Sequence, residues 1–416
     1  MKTDCDRADS PLISEDEALS RLAEAARPVT DFQTEPLDRC LGRVLAQDRK
    51  ADVDVPPADN SAMDGYACRH LDASVPGTQL RVSQRIAAGD RPPRLEPGTA
   101  ARIFTGACIP DGADTVVMQE DCRSDAKDGI DAVTIDASPR AGDYIRRRGE
   151  DIRAGETVLG AGTRLRPQDI GIAASIGLVE LPVYRSLKVA IFFTGSELCE
   201  PGTGLAPGKI YNSNRPMLAA SLRALGCEVL DLGSIDDDRR RITATLERAA
   251  REVDLVITSG GASVGEEDHI RAAIADAGRL DLWRIAIKPG KPLAFGRIGE
   301  TPVLGLPGNP VSSFVTFSLY ARFFILCCQG RKDTGRHSFH VRAGFVKARP
   351  SNRVEYQRAR LQSDPTQRQS ALIYPQQSSG VLRSTTWADG LVCIPARRTV
   401  APGDWVEYIP FTSLLW

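Results

Sequence analysis

From Leu187 onward the apolar positions alternate between two periods. The runs "KVAIFF", "CEVLDLG", "VDLVIT", "DLWRIAI" and "PVLGL" are nearly continuous in apolar residues, as strands buried on both faces are. Between them "RPMLAASLRAL", "RRRITATLERAARE" and "HIRAAIADAG" place apolar residues every three to four positions, the mark of one-sided helices. Strands alternating with such helices predict a parallel sheet covered on both faces, an α/β domain over 187–332. Upstream, "ISEDEALSRLAEAA" predicts a helix opened by Ser14, with Glu17 three residues on completing a capping-box signature. Over 49–150 proline and glycine break the chain, and short runs such as "TVVMQE" and "AVTIDA" predict a β-rich inserted domain. "GETVLGAGTRLRPQDIGIAASIG" returns to a turn and a helix, so 151–186 is expected to rejoin 1–48 in one discontinuous domain. After Gly330, alternation and turn residues predict a small all-β domain over 333–416.

One stretch, "VSSFVTFSLYARFFILCC" (311–328), is long enough to raise the question of a membrane span. It carries Arg322 and several serines and follows a helix-start signal, so a buried helix of a soluble domain is the expectation, with no membrane partner. The 416 residues, 42% hydrophobic and 26% charged, suit two to four globular domains, and the net charge of −1 excludes a broad basic surface for nucleic acid. Ten cysteines form no C-x-x-C pair and only four histidines accompany them, which argues against zinc. The acidic N-terminus lacks an apolar export signal, and reduced thiols in a cytoplasm are expected.

Ligands of open α/β sheets bind beyond the carboxyl ends of the strands. The segments expected there are "TGSEL" with Glu197, "SIDDD" with Asp237, "SGGASVGEED" with Asp268, "KPGKP" with Lys288 and Lys291, and "PGNPVSS". Each has an ordinary explanation: a tight turn, a solvated helix start, a cap at Asn309 with Pro310 behind it. "KPGKP" is the hardest to explain so, because two lysines flanking a rigid turn gain nothing from an apolar core. Together the five ends describe an anionic, phosphate-bearing ligand. Backbone N–H groups at Gly260, Gly261 and the helix start at Pro310 can face its oxygens, and the lysines supply charge. Carboxylates at Glu197, Asp237 and Asp268 are candidates for Mg²⁺, which takes oxygen ligands and bridges to phosphates. The glycines would face the anion and the acids the metal.

With these residues in view, the chain resembles the molybdopterin molybdenumtransferases, the MoeA and gephyrin E-domain family. The resemblance rests on "DNSAMDGYA" (59–67), "RIFTGACIPDGADTVVMQE" (102–120), "RRRGEDI" (146–152), "TGSEL" (194–198), "SGGASVGEED" (259–268), "KPGKP" (288–292) and "LPGNPVS" (306–312), in the family's order. It implies a multidomain α/β fold. Its parts are a MogA/MoaB-like parallel-sheet domain, an N-terminal helical and extended domain, a β-rich insertion and a C-terminal small β-barrel. It also implies a homodimer whose cleft lies between the sheet domain of one subunit and the β-domain of the other. The implied reaction takes adenylylated molybdopterin and molybdate, inserts molybdenum with Mg²⁺ and releases AMP; a separate molybdopterin adenylyltransferase would supply the substrate.

By motif position, Asp59, Asp151, Glu197, Asp237 and Asp268 are the implied catalytic acids, and Glu197, Asp237 and Asp268 the metal ligands. Thr105, Arg146, Gly260, Gly261, Ser263, Lys288, Lys291, Pro307, Asn309 and Ser312 form the implied substrate-binding set. Two positions depart from the family pattern: Ser196 stands where Asp is usual, and Arg284 where many members have Lys. Two other functions compete. A nucleotide pyrophosphatase or adenylyltransferase would need only the α/β module, leaving "DNSAMDGYA" and the extra β-domains superfluous. A non-catalytic scaffold would not need the full set of acids and lysines.

Overall fold

The computed structural model describes residues 12–127, 130–260, 269–290, 292–363 and 369–415. Its centre is a six-stranded sheet in the order 228–235, 188–194, 255–259, 301–306, 292–298, 279–284. The first four strands run parallel, in the register Thr194 to Ile235, Phe193 to Ser259 and Ser259 to Leu306. Apolar residues of Lys188–Thr194 and Leu255–Ser259 are buried on both faces, as the continuous apolar runs require. One face packs on helices Arg239–Ala250 and His269–Ala277, the other on Asn214–Ala224 and the long helix that starts at Pro310.

One strand escapes the sequence pattern. Pro292–Ile298 forms a hairpin with Thr301–Leu306 and is antiparallel to both of its neighbours. Its sequence, "PLAFGRI", has a proline at its start and a glycine inside, both of which weaken a strand signal. This strand brings the turn between Arg284 and Pro292 to the same end of the sheet as the carboxyl ends of the parallel strands.

The stretch that raised the membrane question is a 19-residue helix, Pro310–Cys328, long and apolar enough to cross a bilayer yet 89% buried inside the protein. It opens to a π-helical turn at Phe317–Ala321. Helix Glu15–Ala25 is capped by the Ser14 hydroxyl, which accepts from the Glu17 N–H at 3.1 Å. Its buried residues Ala18 and Leu22 join the core of the sheet domain. Sequence periodicity shows that a helix has an apolar face but not which neighbour covers it.

Residues 32–50 and 157–184 do come together. Phe32–Pro36 pairs with Glu180–Tyr184 and Arg49–Lys50 with Thr157–Leu159. The inserted segment builds its own six-stranded sheet from Gly65–Cys68, Thr78–Ile86, Thr99–Ile103, Thr115–Met118, Cys122–Lys127 and Ile130–Ile135. At the C-terminus Val354–Ser363, Gln369–Ile373, Phe339–Ala343, Trp405–Pro410 and Gly390–Ile394 pair in turn, and the last closes on the first. The result is a five-stranded barrel.

The extended segment is tied to the sheet by Arg185, whose guanidinium donates to both oxygens of Asp254 at 2.6 and 2.7 Å, while the Lys188 N–H donates at 2.8 Å. Burial raises the Asp254 pKa, but these donors outweigh it and hold the carboxyl below the ordinary range. A carboxyl depressed on folding stabilises the fold above its unfolded pKa, and that contribution fades as pH falls through the folded value. Asp254→Asn should therefore cost about 2 kcal/mol near neutrality, and the gap to wild type in thermal midpoint should narrow below about pH 4. A gap independent of pH would show that the charge is not what holds the joint.

Candidate active site at the strand ends

Where the parallel strands end, a buried polar knot fixes three connections to one another. The Asn214 amide donates to Ser259 Oγ at 3.0 Å and to the Gly308 carbonyl at 2.8 Å, and the Ser259 hydroxyl donates to the Pro307 carbonyl at 2.9 Å. Ser259 is 2% exposed, so these bonds form out of water. They lock the turn after Leu255–Ser259 to the turn after Thr301–Leu306. Gly260 continues at φ +111°, and a Cβ there would lie 2.2 Å from the Thr194 carbonyl oxygen. Only glycine fits. Two buried oxygens, Thr194 Oγ1 and Asn214 Oδ1, have no hydrogen-bond partner among the described residues. Unsatisfied buried oxygens are rare in stable cores and common where a ligand or water completes the site.

The predicted residues fall into three groups. Glu197, Asp237, Gly260, Pro307, Asn309, Ser312 and Lys288 lie at or beside the strand ends. Glu197 folds back over its own turn, where a Cβ at Gly195 would come 2.6 Å from its Oε2. In the acidic triplet, Asp238 caps helix Arg239–Ala250 through the Arg241 N–H at 2.9 Å and Asp236 pairs with the Arg241 guanidinium. Asn309 precedes helix Pro310–Thr316, but its side chain makes no capping bond. Ser312 is buried, and its carbonyl lies 3.4 Å from where a Cβ on Gly290 would stand, so helix and "KPGKP" turn are in contact.

Asp59, Thr105, Arg146 and Asp151 form the second group, on the inserted domain or its border. The Arg147 guanidinium and the Arg148 N–H donate to Asp59 at 2.7 and 2.8 Å; burial raises its pKa, but these bonds prevail and keep it ionised below the usual range. The Thr105 N–H and hydroxyl both donate to Asp64, each at 2.7 Å, and lower that carboxyl too. These bonds of Asp59 and Thr105 stay within the inserted domain. Arg146 pairs with Asn60 through the backbone, and Asp151 is exposed. The third group, Gly261, Ser263, Asp268 and Lys291, lies outside the described residues.

Sequence reasoning missed residues of the barrel strand Val354–Ser363. Ile287–Lys288 pairs in parallel with Val354–Glu355, laying the turn against the barrel, and Lys288 Nζ lies 3.5 Å from Glu355 Oε1. Arg358 is fully buried; burial lowers its pKa to about 10. It donates to Ser384 Oγ at 2.9 Å and to the Ser378 carbonyl at 3.2 Å, shaping a loop whose Ser379 carbonyl accepts the Val311 N–H at 3.0 Å. The signal in the sequence was "EYQRAR", a strand with acid and arginine on positions that the barrel buries.

Three family models cover the chain. They are a MoeA N-terminal region (domain I and II) over 13–177, a probable molybdopterin binding domain over 190–326 and a MoeA C-terminal region (domain IV) over 341–411. A molybdopterin molybdenumtransferase of Haemophilus influenzae is 36% identical over 407 residues, 97% of this chain and 100% of that one. This chain belongs to the molybdopterin molybdenumtransferase family. Another member, molybdopterin molybdenumtransferase 2 of Mycobacterium tuberculosis, is 38% identical over 91% of this chain and 93% of its own. A crystal structure of a molybdopterin biosynthesis MoeA protein from Pyrococcus horikoshii superimposes with a TM-score of 0.82 at 29% identity, covering 96% of this chain and 100% of that one. The chain is therefore a transferase of molybdenum-cofactor synthesis, and the α/β, β-rich and barrel parts are those of a molybdenumtransferase.

The strand ends can also be tested as a place for Mg²⁺. Among the described residues no three acids, histidines or cysteines gather into a cage. Thr194 and Ile235 are paired, so Glu197 and Asp237 follow neighbouring strand ends. One or two carboxylates, with the rest of the shell from phosphate and water, is the arrangement Mg²⁺ favours. The donor set fits. A cleft of about 660 Å³ lined by Arg21, Arg27, Arg279 and Arg297 lies at the opposite end of the sheet and takes no part in this arrangement.

Gly260→Ala should cost about 1–3 kcal/mol in backbone strain and displace the Thr194 carbonyl. Gly208→Ala, also at positive φ (+77°) but with nothing within 4 Å of its Cβ, carries the strain without the clash. Thermal unfolding of the two variants should show the larger loss at Gly260; equal losses would mean the turn relaxes freely.

Proposed function

We propose that this protein inserts molybdenum from molybdate into adenylylated molybdopterin, with Mg²⁺ and release of AMP. The observation that carries the reading is the convergence of glycine turns, carboxylates and a lysine on one end of the sheet, bound together by the Asn214–Ser259 knot. A phosphoanhydride and an oxyanion are what such an end would receive: the glycine turn at Gly260 and Gly261 and the first turn of the helix that opens at Pro310 would approach its oxygens, and Lys288 and Lys291 would offset charge. Pro307, Asn309 and Ser312, with Ser263 by its place in the motif, would bind substrate from the sheet domain, and Thr105 and Arg146 would hold it from the inserted domain.

Glu197, Asp237 and Asp268 would hold Mg²⁺, which neutralises phosphate charge and stabilises a departing oxygen. The chain's own contribution is positioning. Molybdate must sit against two thiolates of like charge, so fixed cations and aligned N–H groups, with no covalent nucleophile, lower the barrier. Asp59 and Asp151 would act from the other wall of the cleft. The protein works as a homodimer in the cytoplasm, fed by a separate molybdopterin adenylyltransferase.

Incubation with adenylylated molybdopterin, molybdate and Mg²⁺ should release AMP in step with molybdenum incorporation, and chelation should stop both. AMP release unaffected by chelation, or incorporation without it, contradicts the reading.

The shared cleft has its own test. If each site takes Asp59 from one subunit and Glu197 from the other, Asp59→Ala and Glu197→Ala dimers are both inactive. Refolded together, about half the dimers are mixed and each has one intact site, so roughly a quarter of wild-type activity returns. No recovery, with mixed dimers shown to form, would place both acids in one subunit.

A further inference from the structure

Glu355 is 5% exposed and sits in the barrel wall against the "KPGKP" turn. Its carboxylate accepts from the Gln357 amide at 2.8 Å and is paired with two lysines, Lys347 at 3.2 Å and Lys288 at 3.5 Å. One buried carboxylate needs one cation; here there are two, and they are not equivalent. The Lys347 side chain is 13% exposed, its ammonium also donates to the Arg349 carbonyl at 2.7 Å, and its backbone is bonded in both directions to Val400. The Lys288 side chain is 52% exposed and makes the longest contact of the three. Its backbone is pinned by the pairing of Ile287–Lys288 with Val354–Glu355, so only the flexible side chain is free to turn.

We infer that Lys347 is the resident counter-ion of Glu355, and that Lys288 is a reserve cation which leaves Glu355 for the anionic substrate without baring a buried charge. Removing one partner of a buried ion pair is strongly unfavourable when nothing replaces it. Lys347 removes that penalty, because Glu355 keeps a cation and the Gln357 amide when Lys288 departs. Burial raises the Glu355 pKa, but Gln357 and both lysines more than offset it, so with both lysines in place the carboxyl is held below the ordinary range. Lys347 and Glu355 are thus positioning residues. Neither touches substrate; between them they set how readily Lys288 does. The inference rests on the proposed role of Lys288 in substrate binding.

The test is a set of full-length variants assayed for KM and kcat with adenylylated molybdopterin. Lys347→Met should raise KM about tenfold with kcat within about twofold, since Lys288 is then retained as the only counter-ion. Lys347→Arg should restore KM. The decisive variant is Lys347→Met with Glu355→Gln. With no carboxylate to serve, Lys288 is free again and KM should return to within about twofold of wild type. Glu355→Gln alone, which bears on the same point should the methionine variant fold poorly, should leave KM at or below the wild-type value.

A KM raised by Glu355→Gln, or a double variant no better than Lys347→Met, overturns the exchange and makes Glu355 a plain anchor. An unchanged KM in Lys347→Met, with Lys288→Ala impaired, overturns the role of Lys347 while leaving substrate binding by Lys288 intact. An unchanged KM in Lys288→Ala overturns the binding role itself, and the exchange with it.

Discussion

The hydroxyl of Ser259 is the point on which the site depends. It accepts from Asn214 and donates to Pro307, so one oxygen joins a helix start, a strand end and the turn before the long helix. A hydrogen bond on the surface contributes little, but in a dry setting each one that is lost leaves a partner unsatisfied. The knot therefore tolerates no slippage between neighbouring turns. Gly260 lies so close to the Thr194 carbonyl that a Cβ would not fit, and Ser259, one residue earlier, is held by two hydrogen bonds. The candidate crevice is in this sense a consequence of core packing carried one residue past the sheet.

The barrel strand Val354–Ser363 extends the same rigidity to a second domain. Of its odd-numbered residues, Glu355 meets Lys288 of the "KPGKP" turn and Lys347 of the barrel, and the Gln357 amide donates to Glu355. Its even-numbered residues face the other way: the Tyr356 hydroxyl donates to Glu15 on the N-terminal helix, and Arg358 organises the loop that reaches Val311. The two-residue period of one strand thus connects the barrel to the first helix, to the long helix and to the lysine turn. Arg336, paired with Glu15 at 2.5 Å and 5.6 Å from the Tyr356 ring centre, seals the joint.

Much of this was legible in the sequence, and the failures have physical reasons. The alternating strands and helices from Leu187 to the helix at Pro310 were readable because burial on both sides of a parallel sheet leaves unbroken apolar runs. Pro292–Ile298 was not, because its proline and glycine mimic a loop, and only pairing with Thr301–Leu306 makes it a strand. Strand-end glycines and acids announced themselves by type. Asn214 and Ser259 did not: an Asn at a helix start and a Ser at a strand end are ordinary, and their importance arises from being 3.0 Å apart across 45 residues of chain. Glu355 was hidden for the same reason, since its partner Lys288 lies 67 residues earlier. Side chains that matter through long-range partners leave no local signature.

The most direct measurement of the central claim is amide hydrogen exchange of the whole protein with and without adenylylated molybdopterin. A ligand held at the strand ends should add protection in the turns after Thr194, Ser259 and Leu306 and in the 288–292 turn, with none in the arginine-lined cleft at the far end of the sheet. Protection at Arg21, Arg27 and Arg297 with the strand-end turns unchanged would contradict it.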